Sequence, residues 1–280
     1  MRPLNTSRRS LALLRAAHPE PGLAVTLVAT LLALATGRSA PGVLAVAATV
    51  LATQAAIGWA NDAIDAGRDA AVGRADKPVA SGEVPRRVAA WCAVAAAVLV
   101  VPLGLLSGPI AAAVITLALV SALLYDWPLK STPISVLPYA VSFGALPTFV
   151  VLGLPGAPWP PWWLAAAGAL LGSGAHFANV LPDLAQDART GVRGLPHLLG
   201  ERGSTVAAGA LLLAATCVLA FGPAGPPSTV GYAALLLAVV VLPASAYLAK
   251  RRPGSDAAFR GAIAIALVDV ALLLAGGRIR

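Results

Sequence analysis

Residues 41–69 read PGVLAVAATVLATQAAIGWANDAIDAGRD. No ionisable side chain occurs from 41 to 61, and a helix needs roughly 20 apolar residues to cross the hydrocarbon core of a bilayer. The run then continues, without a proline, into Asn61, Asp62, Asp65 and Asp69, an N-D-x-x-D-x-x-x-D pattern. If the helix carries on past the membrane, these aspartates, spaced i, i+3 and i+7, lie on one face. Gly58, one turn earlier, extends that face inward and leaves room near the helix axis. The stretch therefore predicts a membrane helix whose end carries a row of carboxylates.

A second row follows the same plan: Asn179, Asp183 and Asp187 recur at i, i+4 and i+8, with His176 a further turn into the apolar run and Pro182 placed to weaken the helix. Together the two segments hold five of the chain's twelve acidic residues. Like charges on one helical face destabilise the helix and raise each other's proton affinity unless a cation intervenes. Oxygen-only ligand sets suit a hard divalent ion, and Mg²⁺ usually binds together with phosphate groups. The alternative is a solvated helix end with incidental acids, which the scarcity of acids elsewhere disfavours. The basic residues Arg68, Arg74, Lys77, Lys130, Arg189 and Arg193 follow the two rows or lie on the intervening loop, and Asn61 has amide hydrogens to offer a phosphate oxygen. Each of these cations has a second reading, as an anchor at the membrane surface.

Hydrophobic residues make up 58% of the 280 and charged ones 11%, against about 25% charged in a soluble domain; mean hydropathy is +0.81. Nine apolar segments, at about 21–38, 41–61, 88–106, 109–125, 134–153, 162–181, 204–222, 229–249 and 257–276, predict an all-α polytopic membrane bundle of nine transmembrane helices around a central cavity. The whole chain, 1–280, reads as one domain. All Lys and Arg except Arg38, Arg278 and Arg280 fall in the amino-terminal segment or after the second, fourth, sixth and eighth helices. That bias predicts a multi-pass cell-membrane protein with its amino terminus and both aspartate loops cytoplasmic. The net charge of +8 then reflects orientation and anionic lipid. Nucleic acid is excluded as a partner, because the basic residues are dispersed and lack interleaved aromatics. Cys92 and Cys217 read as buried small apolar residues.

Carboxylates gripping a diphosphate through Mg²⁺ at the end of a lipid-facing bundle point to an isoprenoid diphosphate as substrate, its tail among the helices. His176 reads equally as a group that positions an acceptor or acts as a base and as a hydrogen-bonded interior histidine. Asp269, deep in the last helix, is expensive there unless paired.

These residues resemble the UbiA superfamily of intramembrane prenyltransferases. Asn61-Asp62-x-x-Asp65-x-x-x-Asp69 is similar to its first aspartate motif, and Asp183-x-x-x-Asp187 with Asn179 to its second. Arg74-Ala75-Asp76-Lys77-Pro78-Val79-Ala80-Ser81-Gly82 resembles the basic-Pro…Ser-Gly stretch after the first motif. The resemblance implies Mg²⁺-dependent transfer of a prenyl group from its diphosphate to a hydrophobic, commonly aromatic, acceptor. It implies metal binding by Asp62, Asp65, Asp69, Asp183 and Asp187, diphosphate contacts from Asn61, Lys77 and Lys130, and Tyr125 beside the reacting allyl group. The chain departs from the family in two places. Tyr125 and Lys130 are one residue further apart than the family's Tyr-x-x-x-Lys, and Lys77 stands where arginine is frequent. A terpene cyclase on the same scaffold needs the same aspartates but no external acceptor, and the 5% aromatic content disfavours the lined pocket it would want. A transporter would place carboxylates near the midplane, whereas these sit at helix ends.

Overall fold

The computed structural model describes residues 6–251 and 257–275. Of the residues used to orient the chain, Arg2, Arg252, Arg278 and Arg280 lie outside the described residues. Eleven α-helices run in the order α1 Thr6–Ala16, α2 Pro19–Ala35, α3 Ala40–Ala71, α4 Arg86–Leu105, α5 Pro109–Asp126, α6 Leu137–Leu152, α7 Trp162–Val180, α8 Leu184–Arg189, α9 Leu195–Phe221, α10 Thr229–Arg251 and α11 Ala257–Ala275. Two 3₁₀ turns, Leu129–Ser131 and Leu181–Asp183, complete the secondary structure of the described residues.

The nine apolar segments fall on α2 to α7 and α9 to α11. Turn chemistry sets their limits. Ser39 caps α3 by accepting a hydrogen bond from the Gly42 amide, and prolines open α2, α3 and α5. The α4–α5 hairpin turns at Gly108 (φ 106°), as the two-residue gap between the apolar runs required.

The result is a polytopic helical membrane bundle. By length and composition, six of the described helices can cross a membrane, and a seventh span arises if α1 and α2, bent by 61°, count as one. The expected nine spans are not all met on this criterion. Helix α6, for example, has 16 residues, about 24 Å of helix against a core of about 30 Å.

Outward faces carry apolar side chains such as Leu44, Trp91, Val98 and Leu236, while the interior is dominated by alanine with Val46, Val50, Ile115, Phe149 and Leu164. In lipid, small interfacial residues let backbones approach, and dispersion between helices replaces the hydrophobic drive. At one end of the bundle, Arg38 donates from Nη1 to the Val150 carbonyl (3.3 Å) and from Nη2 to Ser107 Oγ (3.0 Å). It thereby ties the α2–α3 and α4–α5 turns to α6. At the other end α3, with 32 residues and about 48 Å long, outlasts the hydrocarbon core and carries the first aspartate row. Cys92 and Cys217 are free and half-buried rather than buried.

Candidate active site

The last turns of α3 hold Asp62, Asp65 and Asp69 at 1%, 7% and 7% exposure, each low enough to require compensation. Lys77 Nζ donates to Asp62 Oδ1 at 3.0 Å. Asp65 receives Arg68 Nη2 on Oδ2 at 2.6 Å and Lys130 Nζ on Oδ1. Asp69 has no hydrogen-bonded cation among the described residues, but lies within electrostatic reach of Lys77, Arg68 and Arg74.

His18, which the sequence reading did not single out, completes this cluster. Its Nε2 is 3.2 Å from Asp62 Oδ1 and 3.0 Å from Lys77 Nζ. One nitrogen cannot donate and accept at once, so it donates to the carboxylate or accepts from the ammonium. Gly58 explains its arrival. The room expected near the α3 axis is filled by the Ala17 carbonyl, into which any Cβ at position 58 would collide. Trp59 Nε1 donates to Leu13 O (2.8 Å) on the same seam. The α1–α2 turn, with His18 in the left-handed region (φ 52°), is thus pressed onto α3.

Asn61 commits both amide hydrogens to carboxylates: Nδ2 lies 3.0 Å from Asp126 Oδ1 and 3.3 Å from Asp65 Oδ2. As placed, it orients acids rather than offering free donors to a phosphate. Asp126 is 3% exposed and its Oδ2 has no partner. The sequence held a signal for it, an acid immediately after Tyr125 at the end of an apolar run.

The second row does not continue one helix. Pro182 ends α7 in a 3₁₀ turn, with Asp183 at the end of that turn and Asp187 on the short α8. Asn179 is exposed on the last turn of α7, within reach of the Tyr139 hydroxyl. The two rows nevertheless meet through shared cations. Asp187 lies in the electrostatic field of Arg68 and Lys130, the partners of Asp65, and Arg74 in that of both Asp69 and Asp183. The loops touch as well. A Cβ at Gly194 would collide with the Lys130 carbonyl and lie 2.7 Å from Ser135 Oγ. Ser135 Oγ accepts from the Leu195 amide (3.0 Å) and sits 3.1 Å from His176 Nε2. His197 Nε2 comes within 4.0 Å of Asp187 Oδ2.

Beside the carboxylates lies a knot of rings. Tyr125 and Tyr139 meet edge to face at 4.9 Å, His176 lies 4.9 Å from Tyr139 and 5.5 Å from Tyr125, and Phe143 stacks on Tyr139 at 6.0 Å. The low overall aromatic content concealed this local concentration.

Of the basic residues expected at the site, Arg68, Lys77 and Lys130 are in it. Arg74 instead forks onto Asp76, Nε to Oδ1 and Nη2 to Oδ2 both at 3.0 Å. These bonds hold the Asp76 carboxyl below its ordinary range and push the Arg74 guanidinium up. Arg193 is exposed before α9 and forms no ion pair among the described residues. Arg86 has a structural task, donating from Nε to the Ala63 carbonyl at 2.7 Å.

The donor set fits a hard divalent cation in kind: it is all oxygen, and Asp62 Oδ2 is a buried carboxylate oxygen without a partner. It is not a ready-made cage. Among the described residues no three His, Cys, Asp or Glu groups converge as a metal site, and Lys77 and Lys130 hold Asp62 and Asp65.

Fold and site together define a class: helical membrane proteins with a charged, carboxylate-lined site at one end of the bundle. Within that class the chain belongs to the UbiA prenyltransferase family, whose profile matches residues 22–268, and it is an enzyme of that family. Among solved structures it is similar to the apo form of a UbiA homolog from Aeropyrum pernix K1 (TM-score 0.73, 21% identity, 92% of this chain and 98% of that one). It is also similar to a UbiA homolog from Archaeoglobus fulgidus bound to GPP and Mg²⁺ (0.66, 16%, 94% and 98%). A third similar structure is that of a digeranylgeranylglyceryl phosphate synthase (0.66, 17%, 96% and 97%). No curated protein matches the sequence.

Proposed function

We propose that this protein, as a single nine-span domain around a central cavity, transfers a prenyl group from an isoprenoid diphosphate to an acceptor inside the membrane. The reaction depends on Mg²⁺, the acceptor is aromatic, and the amino terminus and site loops face the cytoplasm. What most supports the reading is the sharing of Arg68 and Lys130 between Asp65 of one row and Asp187 of the other. A dianionic headgroup entering between the rows meets cations already positioned on both sides. Relatives of the same fold that carry GPP or DMAPP with Mg²⁺ agree with this choice of ligand.

Asp62, Asp65, Asp69, Asp183 and Asp187 would hold the metal, which when bound supplies Lewis-acid stabilisation to the departing diphosphate. Arg68, Lys77 and Lys130 turn from carboxylate to phosphate oxygens and neutralise the charge that grows as the C1–O bond breaks. Arg193 reaches the outer phosphate from its exposed loop, and Asn61 keeps Asp65 and Asp126 oriented while this happens. Tyr125 and Tyr139 present ring faces to the allylic cation, whose positive charge the ring quadrupole favours. His176 and Asn179 border the same pocket, where His176, engaged with Ser135, positions the acceptor. The acceptor carbon attacks C1 as the C1–O bond breaks and then loses its proton to the released diphosphate. Burial of the site keeps water from competing for the cation.

The ring cluster also favours a second reading, cyclisation without an external acceptor. One assay separates the two: purified protein with Mg²⁺ and a panel of isoprenoid diphosphates, with and without aromatic acceptors, followed by mass spectrometry. Prenylated acceptor is the expected product. A cyclic hydrocarbon or alcohol formed without acceptor selects the cyclase, and no diphosphate release from any donor overturns both.

A further inference from the structure

We propose that α1 is a membrane-surface helix that binds anionic lipid headgroups and carries that contact to the site through His18. The proposal rests on the reading of Asp62 and Lys77 as part of the diphosphate site. Helix α1 has two faces. Ala12 (1% exposed) and Ala16 (0%) pack with Val79, Val84 and Ala89 against the loop that follows the first aspartate row. On the opposite side Leu11 and Leu14 are 61% and 60% exposed. Arg8 and Arg15 border that face, and Arg9 is exposed at the edge of the packed one; among the described residues Arg15 alone of the three has an acidic neighbour, Glu83 at 3.5 Å. The helix meets α2 at 61°, so it does not continue that membrane helix. Leucines between arginines on a helix turned away from its neighbour match the apolar and charged layers of a bilayer surface, and the positive charge complements anionic headgroups.

The helix is also fastened to the site. Arg15 Nη2 donates to the Asp76 carbonyl (3.2 Å), and Trp59 donates to Leu13. The Ala17 carbonyl occupies the notch at Gly58, and the next residue is His18, in contact with both Asp62 and Lys77. Sliding or tilting α1 therefore moves a nitrogen that touches a member of the first row and its lysine. Loss of surface binding lets His18 withdraw and leaves Lys77 on Asp62.

The test uses the full chain in nanodiscs of phosphatidylcholine, with or without phosphatidylglycerol. A nitroxide on Leu14→Cys, in a background lacking Cys92 and Cys217, reports depth from oxygen and nickel-chelate accessibility, and diphosphate release is measured alongside. The expected result is headgroup depth at position 14 and several-fold faster release with phosphatidylglycerol. Arg8→Gln/Arg9→Gln keeps its rate in phosphatidylcholine but loses the stimulation, since each arginine contributes roughly fivefold to surface affinity. Water-like accessibility at position 14 assigns the face to solvent or a soluble partner and overturns the proposal. So does a rate indifferent to lipid charge, or a stimulation that survives the double substitution. Headgroup depth without diphosphate release in any lipid instead overturns the enzymatic reading and leaves the surface helix standing.

Discussion

The two aspartate rows use the same residue and share electrostatic partners, yet they are built differently. The first rides on an unbroken helix, is almost fully buried, and has lysine or arginine hydrogen-bonded to two of its three members. The second sits where α7 gives way to a 3₁₀ turn at Pro182, and Asp183 and Asp187 are half-buried. Among the described residues they form no lysine or arginine hydrogen bond, with His197 4.0 Å from Asp187 and Arg68, Lys130 and Arg74 within electrostatic reach. A continuous helix fixes side chains in register and can bury charge only if it is neutralised on the spot. A broken one gives up regular spacing and gains carboxylates that remain open to an incoming cation. The first row is thus largely neutralised by the protein's own cations, and the second is not paired in the same way.

The strongest way to break this comparison is to remove one carboxylate from each side. Asp65→Ala and Asp183→Ala are each expected to lower diphosphate release at least about a hundredfold. Only Asp65→Ala should also reduce thermal stability, because it strands Arg68 and Lys130. Full activity in either variant removes that row from the site. Next in size is Lys130→Met. Its release rate should fall about a hundredfold, while Mg²⁺ binding measured by calorimetry tightens, because a competitor for Asp65 is gone. If both quantities fall together, Lys130 is a scaffold and not a phosphate ligand.

Pro182→Ala sharpens the contrast by letting α7 run into α8 and rotating Asp183 and Asp187. Activity should drop about tenfold with helix content on circular dichroism unchanged or slightly raised. The smallest effect belongs to the rim. Asp76→Asn should change turnover by no more than about twofold, since exposed ion pairs are weak. Because Arg74 holds the Asp76 carboxyl below its ordinary 3.8, the pair's ordering of the 72–85 loop is present above about pH 4 and lost as pH falls through the lowered value. Hydrogen-exchange protection in that loop, taken relative to the intrinsic rate at each pH, should fall on acidification in the natural protein and not in Asp76→Asn.

Much of the helical layout was legible because membrane helices announce themselves by unbroken apolar length, and each apolar run coincides with a helix. The extension of α3 past the bilayer was legible too, since nothing between Ala60 and Asp69 stops a helix. Helix α1 escaped notice because its apolar run, Leu11 to Leu14, is too short for a hydropathy signal. His18 was hidden for another reason: its partnership with Asp62 spans 44 residues and depends on a backbone contact at Gly58 that no local pattern encodes. Asp126 was not singled out, because a lone acid has no periodicity. Arg193 was expected from charge and proximity in sequence, and it lies exposed on the loop before α9. Spacing identifies a face; which cation reaches that face is decided by how distant loops pack.

Arg38 gives the molecule a direction. It staples two connecting turns and the last turn of α6 at the end of the bundle remote from the aspartates, so those helices share a common anchor there. Displacement of any of them about that anchor grows with distance from it and is greatest where the carboxylates are. The packed core near Phe149 lies next to that anchor, since Phe149 adjoins Val150, whose carbonyl Arg38 holds.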